Sequence, residues 1–134
     1  MDVNLGCMQL YTLATGFGSC VAPQTGPDYL PSGSRDGSAW LIRHLLYDGA
    51  LNLIGTPAAE GSPPGVITPN ADLAYYPTAL GYDVVEVPSG VVREHVRVPH
   101  PVSRLTLLPD VQRLVVWSGV SLGSTDRITI MELD

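Results

Sequence analysis

The hydrophobic positions of this chain fall in short runs, and the clearest succession of them lies between Tyr82 and Leu133. Tyr82-Asp-Val-Val-Glu-Val-Pro88 and Val91-Val-Arg-Glu-His-Val-Arg-Val98 are rich in β-branched residues, and Pro88-Ser89-Gly90 between them supplies the backbone angles of a tight turn. The pattern predicts a hairpin. Pro99 and Pro101 then remove two backbone donors, which marks a strand end or an exposed crossing. Further strands are predicted over Ser103–Leu108, Val111–Ser118 and Arg127–Leu133, separated by Pro109-Asp110 and by a loop from Gly119 to Asp126. Short strands with short connections predict an antiparallel sheet that folds onto itself.

Two of these strands are apolar on both sides. In Val111–Ser118, Leu114 and Val116 share one face at period two, while Val111, Val115 and Trp117 share the other. One face enters a core; the second has to be covered by the N-terminal half of the chain or by another protein. The last strand repeats the problem, with Ile128 and Ile130 on one side and Met131 and Leu133 on the other.

The N-terminal half is less regular. Val3–Leu13 alternates loosely and reads as a strand, after which glycines and Pro23, Pro27 and Pro31 make residues 14–37 an extended loop or arm in which no helix propagates. Asp36–Gly55 has two readings. The favoured one is a short helix capped by Ser38, striped by Leu41, Ile42, Leu45 and Leu46 and stopped at Gly49, followed by a strand at Ala50–Ile54. The other is a hairpin turning at Asp48-Gly49, with Leu46 opposite Leu51 and His44 opposite Leu53. Thr56–Pro69 returns to proline, glycine and small residues, and Tyr75-Tyr76-Pro77 leads into the C-terminal strands.

A chain of 134 residues fits one domain, 1–134, with a core that needs no metal or disulfide. Fourteen glycines and twelve prolines favour an all-β chain over a bundle. The expected fold is therefore an antiparallel β-sandwich or barrel with long irregular loops or arms, at most one short helix, and a C-terminal meander over 82–133. The net charge is −6 and every one of the seven basic residues is an arginine. No diffuse positive field exists to hold nucleic acid or an anionic membrane, so neither is an expected partner. No positively charged leader and no apolar run long enough to span a bilayer is seen, which points to the host cytoplasm or an assembled particle. Cys7 and Cys20 read as two free buried thiols; a bridge would close a short loop and add about 3 kcal/mol.

Candidate chemistry is sparse. Gly119-Val120-Ser121-Leu122-Gly123 matches the G-x-S-x-G pattern of the serine-hydrolase elbow, but that mechanism needs a following helix and a later histidine. The last histidine, His100, is upstream. Arg93, His95 and Arg97 alternate, so a regular strand would put all three on one face as an anion site or a charged contact. Glu94 interrupts the apolar side and suggests an edge strand or a bulge. His44, His95 and His100 are too scattered for a metal site, and no cofactor or metal is expected.

The leading expectation is a non-enzymatic structural subunit of a large assembly, most plausibly a virion component: a capsid cement or decoration protein, or a head-tail or tail element. Other assembly subunits would be its partners, in a homo-oligomer or a lattice. Its expected contact residues are Val111, Val115, Trp117, Met131 and Leu133 on the sheet, Arg93, His95 and Arg97 on the charged strand, and Phe17 and Tyr29 in the arm. The runner-up is a monomeric β-sandwich binding a glycan or protein through Tyr29 and Tyr75-Tyr76. A serine hydrolase is third.

Overall fold

The computed structural model describes residues 11–18, 32–42, 45–55, 65–87, 89–110, 112–119 and 126–133. Cys7, Cys20, Tyr29, His44, Val111 and Ser121, with the segment 3–10 of the first expected strand, lie outside them. The described residues are all-β, and every strand pairing is antiparallel. Tyr11–Thr12 (β1) and Gly16–Phe17 (β2) form a small hairpin. Ser32–Gly33 (β3), Ala39–Ile42 (β4), Leu45–Asp48 (β5) and Leu53–Gly55 (β6) form an N-terminal sheet in chain order. Val66–Ile67 (β7), Leu73–Thr78 (β8), Gly81–Glu86 (β9) and Val92–Arg97 (β10) form a middle sheet. Val102–Leu107 (β11), Arg113–Ser118 (β12) and Arg127–Glu132 (β13) form a C-terminal sheet. The sheets are open and stack as a sandwich; none closes into a barrel.

Alternation along β8 and β9 explains the stacking. Ala74, Tyr76 and Val85 leave one face of the middle sheet and pack with Ala39, Leu41 and Leu46 of the N-terminal sheet. Tyr75, Tyr82 and Val84 leave the other and pack with Val102, Leu105, Leu114 and Val116 of the C-terminal sheet. The middle sheet is thus buried on both faces. A third cluster, Ile42, Leu45, Tyr47 and Leu51, lies on the far side of the N-terminal sheet.

The five C-terminal strands appear where the pattern predicts them, but they do not form one sheet. The chain leaves the middle sheet after β10 and enters the C-terminal sheet at β11, crossing through Pro99 and Pro101. Two prolines cannot donate to a ladder, so neither sheet extends through them. β8 is the element the pattern missed, because Pro77 sits inside it. Pro77 is tolerated since β7 pairs only as far as Tyr75 on that side, so no strand among the described residues needs its missing N–H.

The favoured helix over Ser38–Gly49 is corrected to a pair of strands, β4 and β5, with Ile42 opposite Leu45 and Trp40 opposite Tyr47. Leu41, Ile42, Leu45 and Leu46 would stripe a helix, yet the same spacing fits two short strands buried on both faces. The hairpin reading is corrected too: Tyr47 faces Leu53, Asp48 N–H donates to the Asn52 carbonyl, and the three residues 49–51 between them make the turn, with Leu51 at φ 64°. A type I turn ending in a left-handed residue gives this loop.

Carboxylates organise the exposed turns. Asp36 accepts from Ser38 and Ser34, which lower its pKa to about 2. Asp48 accepts from the Asn52 backbone and side chain and from Ala50, and Asp110 from the Gln112 backbone and Arg113; both are lowered. Because these folded values lie below the unfolded value of about 3.9, their stabilisation is present above pH ~4 and is lost as pH falls through the lowered values, about 2 for Asp36. Urea melts at pH 7, 4 and 2.5 should show that decline, and Asp36→Asn with Asp48→Asn and Asp110→Asn should flatten it. A second expectation concerns the Tyr76 hydroxyl, which is buried without a hydrogen-bond partner. Tyr76→Phe removes that desolvated group and keeps the ring, so thermal melting should show unchanged stability or a gain of up to about 1 kcal/mol.

Candidate interaction surface

The outer face of the C-terminal sheet is where the two-sided strands matter. On β12, Leu114, Val116 and Ser118 point inward and are buried, while Arg113, Val115 and Trp117 point out. Register then builds a cross-strand ladder on the outer face. Val115 faces Ile130 and Thr106, and Trp117 faces Ile128 and Arg104. Ile128 and Ile130 are 56% and 58% exposed. Opposed β-branched and aromatic side chains stabilise a sheet by about 0.2–1 kcal/mol per pair, so the ladder stiffens the face.

Trp117 is held in place. Its indole N–H donates to the Thr106 hydroxyl at 3.1 Å, and the Arg104 guanidinium lies 5.7 Å from the ring centroid. The Ser103 hydroxyl, at a bulge in β11, donates to the Trp117 carbonyl. The rim is polar: Arg113 donates to Asp110 at 2.6 Å and faces Glu132 across the strands. The Gln112 backbone N–H and then Arg113 hold the Asp110 carboxyl down, and Asp110 in turn holds the Arg113 guanidinium up. An apolar centre with a tryptophan and a charged margin is the composition of a protein contact surface.

The remaining expected residues are distributed elsewhere. Met131 and Leu133 turn inward and pack on the cluster around Tyr75 and Tyr82, so they are not on the face of Val115 and Trp117. Ile128 and Ile130 take that place, opposite Trp117 and Val115. Phe17 is 72% exposed on the β1–β2 hairpin, with its ring 5.0 Å from that of Tyr11. Val111 and Tyr29 lie outside the described residues.

The charged strand is corrected in one respect. β10 is an edge strand, as Glu94 suggested, and its register slips between Val92 and Glu94. That bulge separates Arg93 from the other two. Arg93 and Glu94 line a groove of about 340 Å³ between the middle and C-terminal sheets, with Tyr75, Tyr82, Met131 and Glu132. His95 and Arg97 belong to a different depression beside Thr78 and Leu80, and His95 Nδ1 lies 2.6 Å from Asp83 Oδ1. Burial raises the pKa of Tyr75 and Tyr82, so both hydroxyls stay protonated beside the groove.

Two other expectations meet the fold here. Tyr75 and Tyr76 are neighbours in β8, so they point to opposite faces and both are buried; they form no aromatic loop. Gly119 follows β12, and the next described element is β13, antiparallel to it, rather than a helix after a nucleophile elbow. Among the described residues no three histidine, cysteine or acidic side chains group as metal ligands, and no helix is long and apolar enough to cross a membrane.

The facing of β12 and β13 predicts unequal costs for similar truncations. Leu114→Ala should cost about 2–5 kcal/mol in denaturant melts, because it empties a core position. Ile130→Thr keeps the β-branch on an exposed site and should cost under about 1 kcal/mol. No protein-family model matches the chain, and none of the curated proteins matches it.

Proposed function

We propose that this chain is a non-enzymatic structural subunit of a larger assembly, docking through the outer face of its C-terminal sheet. One observation carries the reading: Val115, Trp117, Ile128 and Ile130 form a continuous apolar ladder on a sheet whose other face already fills a core. Exposed apolar faces of this kind, rimmed by polar residues, are contact sites more often than surface accident. Trp117 beside Arg104 adds the residue types that carry most binding energy in protein interfaces. The finer form of the proposal is a virion component, a capsid cement or decoration protein or a head-tail or tail element, with neighbouring subunits as partners. The −6 charge and absence of lysine make nucleic acid and anionic membrane poor partners.

A second reading, a module binding a glycan or protein ligand, is favoured by the groove of Tyr75, Tyr82, Arg93, Glu94 and Glu132, which offers apolar walls with donors and acceptors. A hydrolase reading is weaker still: it needs Ser121 brought to the free ring nitrogen of His95, whose other nitrogen is paired with Asp83.

The assembly reading predicts that the chain, released from its source without denaturant, runs on a sizing column far above its own 14.3 kDa. Trp117→Ser with Ile130→Asp should return it to the mass of the free chain. If the unaltered protein is recovered only as monomer or dimer, the proposal fails.

A further inference from the structure

The middle and C-terminal sheets are joined where β11 lies against β7 and β8. On the other side of the sandwich, between β8–β10 and β13, they enclose the groove of about 340 Å³. Its apolar lining follows from alternation. Tyr75, Tyr82, Val84 and Val96 share the inner face of the middle sheet, and Met131 and Leu133 approach them from the C-terminal sheet. Such a lining suits the apolar part of a small molecule.

Two charges enter that lining in a way a regular strand does not allow. Arg93 and Glu94 are consecutive, so an unbroken strand would send them to opposite faces. The register slips between them and Val92: Val92 stands opposite Val85, Glu94 opposite Val84, and Arg93 is the additional residue. Both side chains consequently line one groove. Bulges re-aim side chains in this manner and are over-represented beside active sites. Guarding an edge against a foreign strand accounts for a bulge and for charge. It does not account for a cation and an anion turned toward the same cavity.

The phenols stand within reach of both charges. Arg93 and Glu94 act electrostatically on the Tyr75 hydroxyl, and Glu94 acts on that of Tyr82; each protonated hydroxyl can donate or accept. The two rings meet edge to face with centroids 6.2 Å apart. Asp72 also acts on Tyr75, but its carboxylate accepts from Thr68 and Asn70. Glu132 lies opposite Arg113 and acts on it from the outer face. Among the described residues Arg93 and Glu94 are thus the charges presented to the groove.

We propose that this groove binds a small zwitterion with an apolar body, the chemistry of an apolar α-amino acid. Its carboxylate meets the Arg93 guanidinium, its ammonium meets the Glu94 carboxylate, and its side chain lies on Val96, Met131 and Leu133. Desolvation makes the selection. Arg93 and Glu94 are exposed, so a ligand seated between them takes water from both, which costs free energy unless the ligand compensates each. A simple anion satisfies Arg93 and is set against Glu94, and a simple cation does the reverse. A neutral sugar needs aromatic faces to stack on, and Tyr75 and Tyr82 are only 4% and 3% exposed. The proposal gives the groove of the second reading a ligand class of its own and does not depend on docking through the outer face.

The test is calorimetric titration of the purified full chain with L-leucine, L-methionine and L-phenylalanine. At least one of them should bind saturably with a dissociation constant below about 1 mM. For that amino acid, acetylating the ammonium or converting the carboxylate to the amide should each weaken binding at least about tenfold, and glycine, which lacks the apolar body, should bind at least about tenfold more weakly. Arg93→Gln should weaken the free amino acid at least about tenfold and move the amide less than about twofold. Glu94→Gln should do the same to the free amino acid and spare the acetylated form. Both sites are exposed, so the melting temperatures of the variants should match that of the unaltered chain. Absence of saturable binding by all three amino acids up to about 10 mM, equal binding of the blocked forms, or tighter binding of glucose overturns the proposal. The two readings fail separately: a large assembly that binds none of the three keeps the docking face and loses the groove, while a monomer that binds one of them keeps the groove and loses the assembly.

Discussion

The constraint on which the rest depends is the middle sheet, which is apolar on both faces and so requires a cover on each. Tyr75 and Tyr76, adjacent in β8, state the problem at its smallest scale: successive residues of a strand point to opposite sides, and both rings are buried. The N-terminal sheet covers Tyr76 and the C-terminal sheet covers Tyr75. Each cover is itself a sheet with a second face. A two-layer sandwich would have left those second faces to solvent as polar surface, but here the apolar character continues outward, through Ile42 and Tyr47 on one side and Val115 and Trp117 on the other.

That continuation is asymmetric, and the asymmetry locates the surface of interest. The far side of the N-terminal sheet is closed, with Ile42, Leu45, Tyr47 and Leu51 all buried. The far side of the C-terminal sheet is open, and its isoleucines are more than half exposed. The N-terminal sheet covers the middle sheet. Trp117 is fixed there by Thr106 and Arg104 rather than left to find its own position, so the side chain is pre-organised for contact and little rotamer freedom remains to be lost.

The edges carry the complementary lesson. β10 and β13 each lie at one edge of their sheets, and the groove of Arg93, Tyr82 and Met131 runs between their inner side chains. One edge carries a bulge and charge, the other is regular and apolar. The Asp83–His95 pair belongs to the first of these: it joins β9 to β10 across an exposed position and reinforces the guarded strand.

Alternation, with the glycine and proline content, pointed to an all-β fold with at most one short helix; alternation alone located the C-terminal strands and marked β12 and β13 as apolar on both sides, because period-two patterning is written in consecutive residues. It also marked β10 as an edge, since Glu94 has no place on a buried face. What only the tertiary structure decided was which face meets which neighbour. Leu41, Ile42, Leu45 and Leu46 satisfy a helix and a pair of two-sided strands equally, and burial on both faces of the N-terminal sheet chooses the strands. Arg93 left the company of His95 and Arg97 because one extra residue at a bulge shifts the parity of everything after it. Likewise nothing local distinguishes Ile130 from Met131 as the exposed residue. The packing of Leu114 and Val116 against Tyr75 and Val84 turns Met131 inward, and Ile130, one residue away, is left facing out.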